Sequence, residues 1–127
     1  MTVLVIDDNS TIHFIIRAVL EIRGIRILSA TDGLQGFKIA QEQHPDLILL
    51  DFILPKITGF HLCKMLKESK QTKSIPIILI SSKADKIGKQ FIHMLGAVNY
   101  VAKPFKTEVL IRVVEKALEI YQQPLQN

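Results

Sequence analysis

Short unbroken runs of aliphatic residues alternate along this chain with longer stretches in which apolar residues recur at helical spacing. Residues 2–6, TVLVI, read as a strand that stops at Asp7 and Asp8, and Ser10 is placed to cap the helix that follows. Ile12, Ile15, Ile16, Val19 and Leu20 then mark one helical face, which Gly24 ends. A second strand is predicted over 25–28, a turn at Asp32 and Gly33, and a less regular helix through Leu34, Phe37 and Ala40 that ends before Pro45. The third strand, over 47–50, is four aliphatic residues in a row, closed by Asp51 and the proline- and glycine-marked loop FILPKITG. A helix over 60–69 points Leu62, Met65 and Leu66 inward, and a fourth strand over 75–80 stops at Ser81 and Ser82. The next helix, over 84–95, is expected to bury Ile87, Phe91, Met94 and Leu95, with Gly96 behind it. A fifth strand over 98–102 runs into Lys103 and Pro104. The last helix carries Val109, Leu110, Val113, Val114, Ala117, Leu118 and Tyr121 on its apolar side, and the polar residues 122–127 are expected to fray.

An aliphatic run without polar interruption is the mark of a strand covered on both faces, which is the habit of parallel sheets. Five such runs separated by helices predict a single α/β domain over 1–121: a doubly wound, five-stranded parallel sheet of flavodoxin-like order 2-1-3-4-5, with helices on both faces. In that order strands 1 and 3 are neighbours at the switch point, so Asp7, Asp8 and Asp51 converge at one lip of the sheet. Three crowded carboxylates raise one another's pKa and call for a cation. With oxygen ligands on offer and no His or Cys nearby in the pattern, the ion expected is Mg²⁺, with Asp8 and Asp51 as direct ligands and Asp7 beside them. Ser81 and Lys103 end strands 4 and 5 on the same edge. A metal, an ammonium and a hydroxyl suit the equatorial oxygens of a phosphoryl group in transfer, with Asp51 as the attacking carboxylate.

Composition changes this picture little. The chain has 127 residues, 48% hydrophobic and 22% charged, which is ordinary for a globular domain. Sixteen Lys and Arg against twelve Asp and Glu leave a net charge of +4. That excess is spread along the chain without an aromatic or glycine-rich recognition motif, so the nucleic-acid reading is weak, and a basic face for an acidic protein partner explains the same excess. Cys63 stands alone in a helical apolar pattern, which excludes an internal disulfide and reads as a small core residue. No apolar run approaches the ~20 residues of a bilayer span. The N-terminus enters MTVLVIDD without a basic leader or cleavage site, and a cytoplasmic location is expected.

VLVIDD, LILLDFILPKITG, PIILISS and YVAKPF together resemble the receiver domains of two-component response regulators, over essentially the whole chain and most closely those of single-domain chemotaxis and twitching-motility type. The resemblance implies that Asp51 is the phospho-acceptor, Asp7 and Asp8 the acidic pair around Mg²⁺, and the Ile53 carbonyl a further ligand. It makes Lys103 the phosphate-pairing lysine, Ser81 the switch hydroxyl, Tyr100 the aromatic that follows it, and Pro104 a cis proline. The implied partners are a sensor histidine kinase or phosphotransfer protein and a downstream protein target, with no DNA-binding helices after Tyr121. Ile53 and Lys83 stand where many relatives have polar or acidic groups that hold the hydrolytic water, and an apolar Ile53 predicts slow self-dephosphorylation. Lys86, Lys89 and His93 form a stripe that, with Lys83 beside it, is the expected partner surface. A receiver-like module acting without phosphorylation is the alternative. An aspartyl phosphatase would carry D-x-D on the first strand rather than adjacent acids, and a nucleotide or flavin binder would need a glycine-rich phosphate loop.

Overall fold

The computed structural model describes residues 1–82 and 88–121. Strands β1 (Thr2–Ile6), β2 (Arg26–Ala30), β3 (Leu47–Asp51), β4 (Ile77–Ser81) and β5 (Ala97–Ala102) form one parallel sheet in the order β2-β1-β3-β4-β5. Among the described residues the helices are α1 (Ser10–Leu20), α2 (Gly33–Gln43), α3 (Gly59–Glu68), α4 (Lys89–Met94) and α5 (Thr107–Tyr121), with a 3-10 turn, Glu21–Arg23, closing α1. Fold class and strand order are those expected from the alternation of aliphatic runs.

Why the runs are unbroken is visible in where alternate residues go. Val3, Val5, Leu47, Leu49, Ile78 and Ile80 point to one layer, where Ile16 and Leu20 of α1 and Leu110, Val114 and Leu118 of α5 meet them. Leu4, Ile6, Ile48, Leu50, Ile77 and Leu79 point to the other, against Ala40 of α2, Leu62, Cys63 and Leu66 of α3, and Ile92 and Leu95 of α4. Each such side chain contributes about 1.5–3 kcal/mol by leaving water. Register follows: Ile6 lies opposite Leu50, and Asp51 opposite Ile80, so the residues just past these strands share one edge.

Local chemistry fixes the ends of the helices, and here several expectations shift. The α1 cap is Asn9 rather than Ser10; its side chain accepts from the Thr11 amide at 2.8 Å, and Ser10 becomes the first helical residue. Asp32 caps α2 through the Gln35 amide, and Thr58 caps α3 through His61. Leu34 faces solvent, because α2 instead lays Gly36 and Ala40 on the sheet. A Cβ at Gly36 would stand 2.5 Å from Ile6 Cδ1, so only glycine allows that approach.

The largest correction concerns α4. Ile92 and Leu95 are the residues it buries, whereas Phe91 and Met94, expected inside, are 37% and 80% exposed. Four apolar residues at 91, 92, 94 and 95 offer two possible inner faces about 100° apart, and the pattern alone does not choose between them. In α5, Val109 and Tyr121 likewise lie outside the buried stripe. Ile87, Lys83 and Lys86, the Lys89 side chain and the expected frayed tail lie outside the described residues.

Candidate functional site

β1 and β3 lie side by side, and the chain leaves both at their carboxyl ends. Asp7, one residue past β1, is 1% exposed, and Asp51, the last residue of β3, is 7% exposed. Asp8 follows Asp7 and is exposed. One carboxylate oxygen from each of the three lies within 4.8 Å of those of the other two. Lys103, just past β5, reaches across: its Nζ is 2.7 Å from Asp7 Oδ2 and 3.3 Å from Asp51 Oδ2. Its main chain is tied to the neighbouring strand through the Lys103 amide, which donates to the Ser81 carbonyl at 3.1 Å. The Lys103-Pro104 peptide is cis.

Asp7 is held at each of its polar atoms. Its amide donates to Ala30 O at 3.0 Å, Oδ1 accepts from the Asn9 amide at 2.8 Å, and Oδ2 takes the Lys103 ammonium. Its carbonyl oxygen lies 2.6 Å from Nε2 of His13, so that ring nitrogen carries the proton and donates. His13 is a correction to the expectation that no histidine stands near the acids. It is buried, and its Nδ1 has no partner among the described residues. The buried positions of α1 are 13, 16 and 20, so the stripe includes a polar residue that the apolar pattern at 12, 15, 16, 19 and 20 passes over.

Burial pushes the Asp51 carboxyl above its usual range; the Ile53 amide, donating at 3.1 Å, opposes this, Asp7 adds to it, and Lys103 opposes it. For Lys103 burial acts downward, yet its contacts with Asp7 and Asp51 prevail and hold the ammonium above its usual value. Among the described residues, two buried acids and an exposed third face one ammonium, that of Lys103.

Its outer wall is the loop after β3. The Gly59 amide donates to Phe52 O at 2.9 Å, closing the loop on itself, and a Cβ at Gly59 would overlap that carbonyl. Lys56, at φ 72°, pairs with Asp32 Oδ2 at 3.3 Å and pins the loop to the start of α2. Ile53 projects from it, 52% exposed. Ser81 is fully buried at the end of β4, opposite Ala102, while Tyr100 lies half-buried opposite Leu79. The expected site residues at the ends of β1, β3 and β5 thus converge. Of the expected partner surface, His93 is exposed, and with Tyr100 it lines a small cavity of about 180 Å³.

A flavodoxin-order parallel sheet with an acidic, lysine-bridged switch point defines a class of α/β protein that handles charge at its strand ends. The response regulator receiver domain family matches residues 3–115, and this chain belongs to that family. It is 30% identical over 116 residues to the protein PilH of Pseudomonas aeruginosa, covering 91% of this chain and 96% of that protein. It also matches the transcriptional regulator RpaA of Synechocystis at 34% identity, but spans only 48% of that longer protein. A putative response regulator from Chloroflexus aurantiacus superposes with a TM-score of 0.86 at 30% identity, covering 93% of this chain and 97% of that one. The receiver domain of a Pseudomonas aeruginosa sensor histidine kinase, solved with magnesium in its active-site cleft, gives 0.84 at 28% identity, covering 93% and 97%. The chain is a receiver domain of two-component signalling, of a family whose members are generally not enzymes in the ordinary sense. Among the described residues no helix is long and apolar enough to cross a membrane.

Proposed function

We propose that Asp51 accepts a phosphoryl group from the phosphohistidine of a sensor histidine kinase or phosphotransfer protein, in an Mg²⁺-dependent reaction, and that the acyl phosphate switches a surface read by a downstream protein. The observation that carries this is the Lys103 ammonium suspended between Asp7 and Asp51, with Asp8 completing the acidic cluster. An Asp51 carboxylate oxygen attacks phosphorus and the P–N bond breaks. The electron pair stays on the donor's imidazole nitrogen, which takes up a proton. Lys103 faces the incoming equatorial oxygens, and the Ser81 hydroxyl supplies a further donor.

The donor set fits a hard divalent ion: oxygen atoms only, one carboxylate open to water, and a deficit of positive charge. Asp8, Asp51 and the Ile53 carbonyl would hold it, with Asp7 behind them. Bound there, Mg²⁺ supplies charge neutralisation between the carboxylates and the phosphoryl oxygens. The Ile53 side chain offers water no hydrogen-bonding group, which supports slow self-dephosphorylation. Movement of Ser81 toward the phosphoryl group would draw Tyr100 after it, and the cavity shared by Tyr100 and His93 lies where a partner would sense that change. Lys83, Lys86 and Lys89 complete this expected partner surface, and the setting is cytoplasmic.

The test is intact-protein mass spectrometry with acetyl phosphate as donor. One added phosphoryl is expected, dependent on Mg²⁺ and absent from Asp51→Asn. Equal labelling of that variant refutes the assignment.

A further inference from the structure

On the side of the sheet away from α1 and α5, α3 and α4 leave between them a groove that the proposed phosphoryl chemistry does not use. Phe60 of α3 and Phe91 of α4 stack across it, ring centroids 6.2 Å apart and 13° from parallel, yet they are 48% and 37% exposed. Met94, one turn further along α4, is 80% exposed. Beside them opens a cavity of about 450 Å³, lined by Phe60, Met94, Leu95 and Gly96 together with Lys64, Lys67 and Glu68. Its floor is made by the Lys67 stem lying across Gly96, where a Cβ would come within 2.8 Å of Lys67 Cε. Contiguous apolar surface of this kind, with polar residues around it, marks an interaction site. Aromatic rings and a flexible thioether are the side chains that anchor such contacts.

We propose that this groove docks an acidic, amphipathic helix of a partner protein. The charge of its rim selects the occupant. From Gly59 to Ser74 the acid is Glu68 alone, whereas Lys64, Lys67, Lys70 and Lys73 recur every third residue. The Lys67 ammonium is spent on the carbonyls of Lys73 and Ile75, at 3.3 and 3.1 Å, which draws the Lys73 end of that loop to the groove. Two copies meeting through this face in a symmetric dimer would set the same lysines against one another, so self-association is disfavoured. The groove is lined by α3, α4 and the turn that follows α4 rather than by an edge strand of the sheet, so side-chain anchors at helical spacing fit it better than an added strand. The lysines would chiefly speed the encounter, and the aromatic and thioether groups would hold it.

The probe is a synthetic amphipathic peptide of about 16 residues with Leu and Phe anchors at i, i+3, i+4 and i+7 and Glu and Asp on its flanks. Two controls accompany it, one with Lys replacing the acids and one with Ala replacing the anchors. Amide chemical shifts of the unphosphorylated protein are followed, so the outcome does not depend on Asp51. Saturable shifts are expected at Phe60, Lys64, Met94 and Gly96. Affinity should fall about tenfold for Met94→Glu and severalfold for Lys64→Glu, and severalfold between about 50 and 300 mM salt. Both variants sit at exposed positions, and their unperturbed spectra serve as the folding control. Absence of saturable shifts, equal binding of the Lys peptide, an unchanged affinity of Met94→Glu, preference for a mixed-sequence oligonucleotide, or concentration-dependent dimerisation through these residues would each overturn the proposal.

Discussion

Replacing Lys103 by methionine keeps most of the side-chain volume and removes the one ammonium among the described residues that faces the two buried acids. The gross attractions are large: at an effective dielectric of about 20, unit charges at the observed 2.7 and 3.3 Å attract by roughly 6 and 5 kcal/mol. Most of that is offset by desolvation of the three groups and by repulsion between the acids themselves. Removing one partner of a fully buried pair costs about 3–5 kcal/mol. The Lys103 side chain is 19% exposed, so water solvates part of the vacancy and a loss of about 2–3 kcal/mol is expected. Urea unfolding at pH 7 without divalent ions should show it as a midpoint lowered by about 1–2 M. The sharper signature is linkage. A cation among Asp7, Asp8 and Asp51 supplies the charge the variant lacks, and saturation at about 100 times Kd restores roughly 2.7 kcal/mol. Lys103→Met should therefore gain more from Mg²⁺ than the parent protein does, while labelling at Asp51 becomes much slower. Identical midpoints with and without the ion, for parent and variant alike, would refute the view that this lysine is the counter-charge of the pocket.

Asp51→Asn should stabilise the metal-free protein at neutral pH. The folded-state pKa is raised, chiefly by burial, so the charged form is disfavoured in the fold and stability from this group declines as pH rises from the unfolded value near 3.8 through the raised one. A gain of about 3 °C in midpoint is expected, vanishing below pH 3, and a loss would contradict it. Ile53→Asn, which places an amide beside the proposed acceptor Asp51, should shorten the lifetime of the phosphorylated protein severalfold at unchanged Mg²⁺ affinity, measured by loss of the added mass after the donor is removed. Cys63, fully buried with its thiol pushed up to about 11 by desolvation, should resist iodoacetamide at pH 8 until the protein is unfolded.

Strand order and the meeting of Asp7, Asp8 and Asp51 were legible in the sequence because a buried parallel strand admits almost no polar residue, so each run announces its own end. Ser81 was legible for the same reason, as the polar end of the buried β4, and Lys103 as the charge before a proline just past β5. Two kinds of information were not. Where apolar residues crowd a short helix, as at Phe91, Ile92, Met94 and Leu95, periodicity leaves the inner face undecided, and the seating of α4 against β5 settles it. Nor does sequence spacing report a side chain that turns back along its own helix. His13 reaches the Asp7 carbonyl this way, and in the apolar pattern it reads only as an interruption.

The two neighbouring acids of the β1–α1 turn differ in freedom. Asp7 is committed at amide, carbonyl and both carboxylate oxygens, while Asp8 stands exposed with no hydrogen bond or ion pair among the described residues. A cation held between them would find Asp7 already clamped and Asp8 still loose, and ordering the Asp8 side chain would cost on the order of 1 kcal/mol or less. Were a divalent ion held there by Asp8, Asp51 and the Ile53 carbonyl, Asp8 would be the carboxylate with no bond among the described residues to give up, whereas Asp51 would have to share its oxygens with Lys103 and the Ile53 amide.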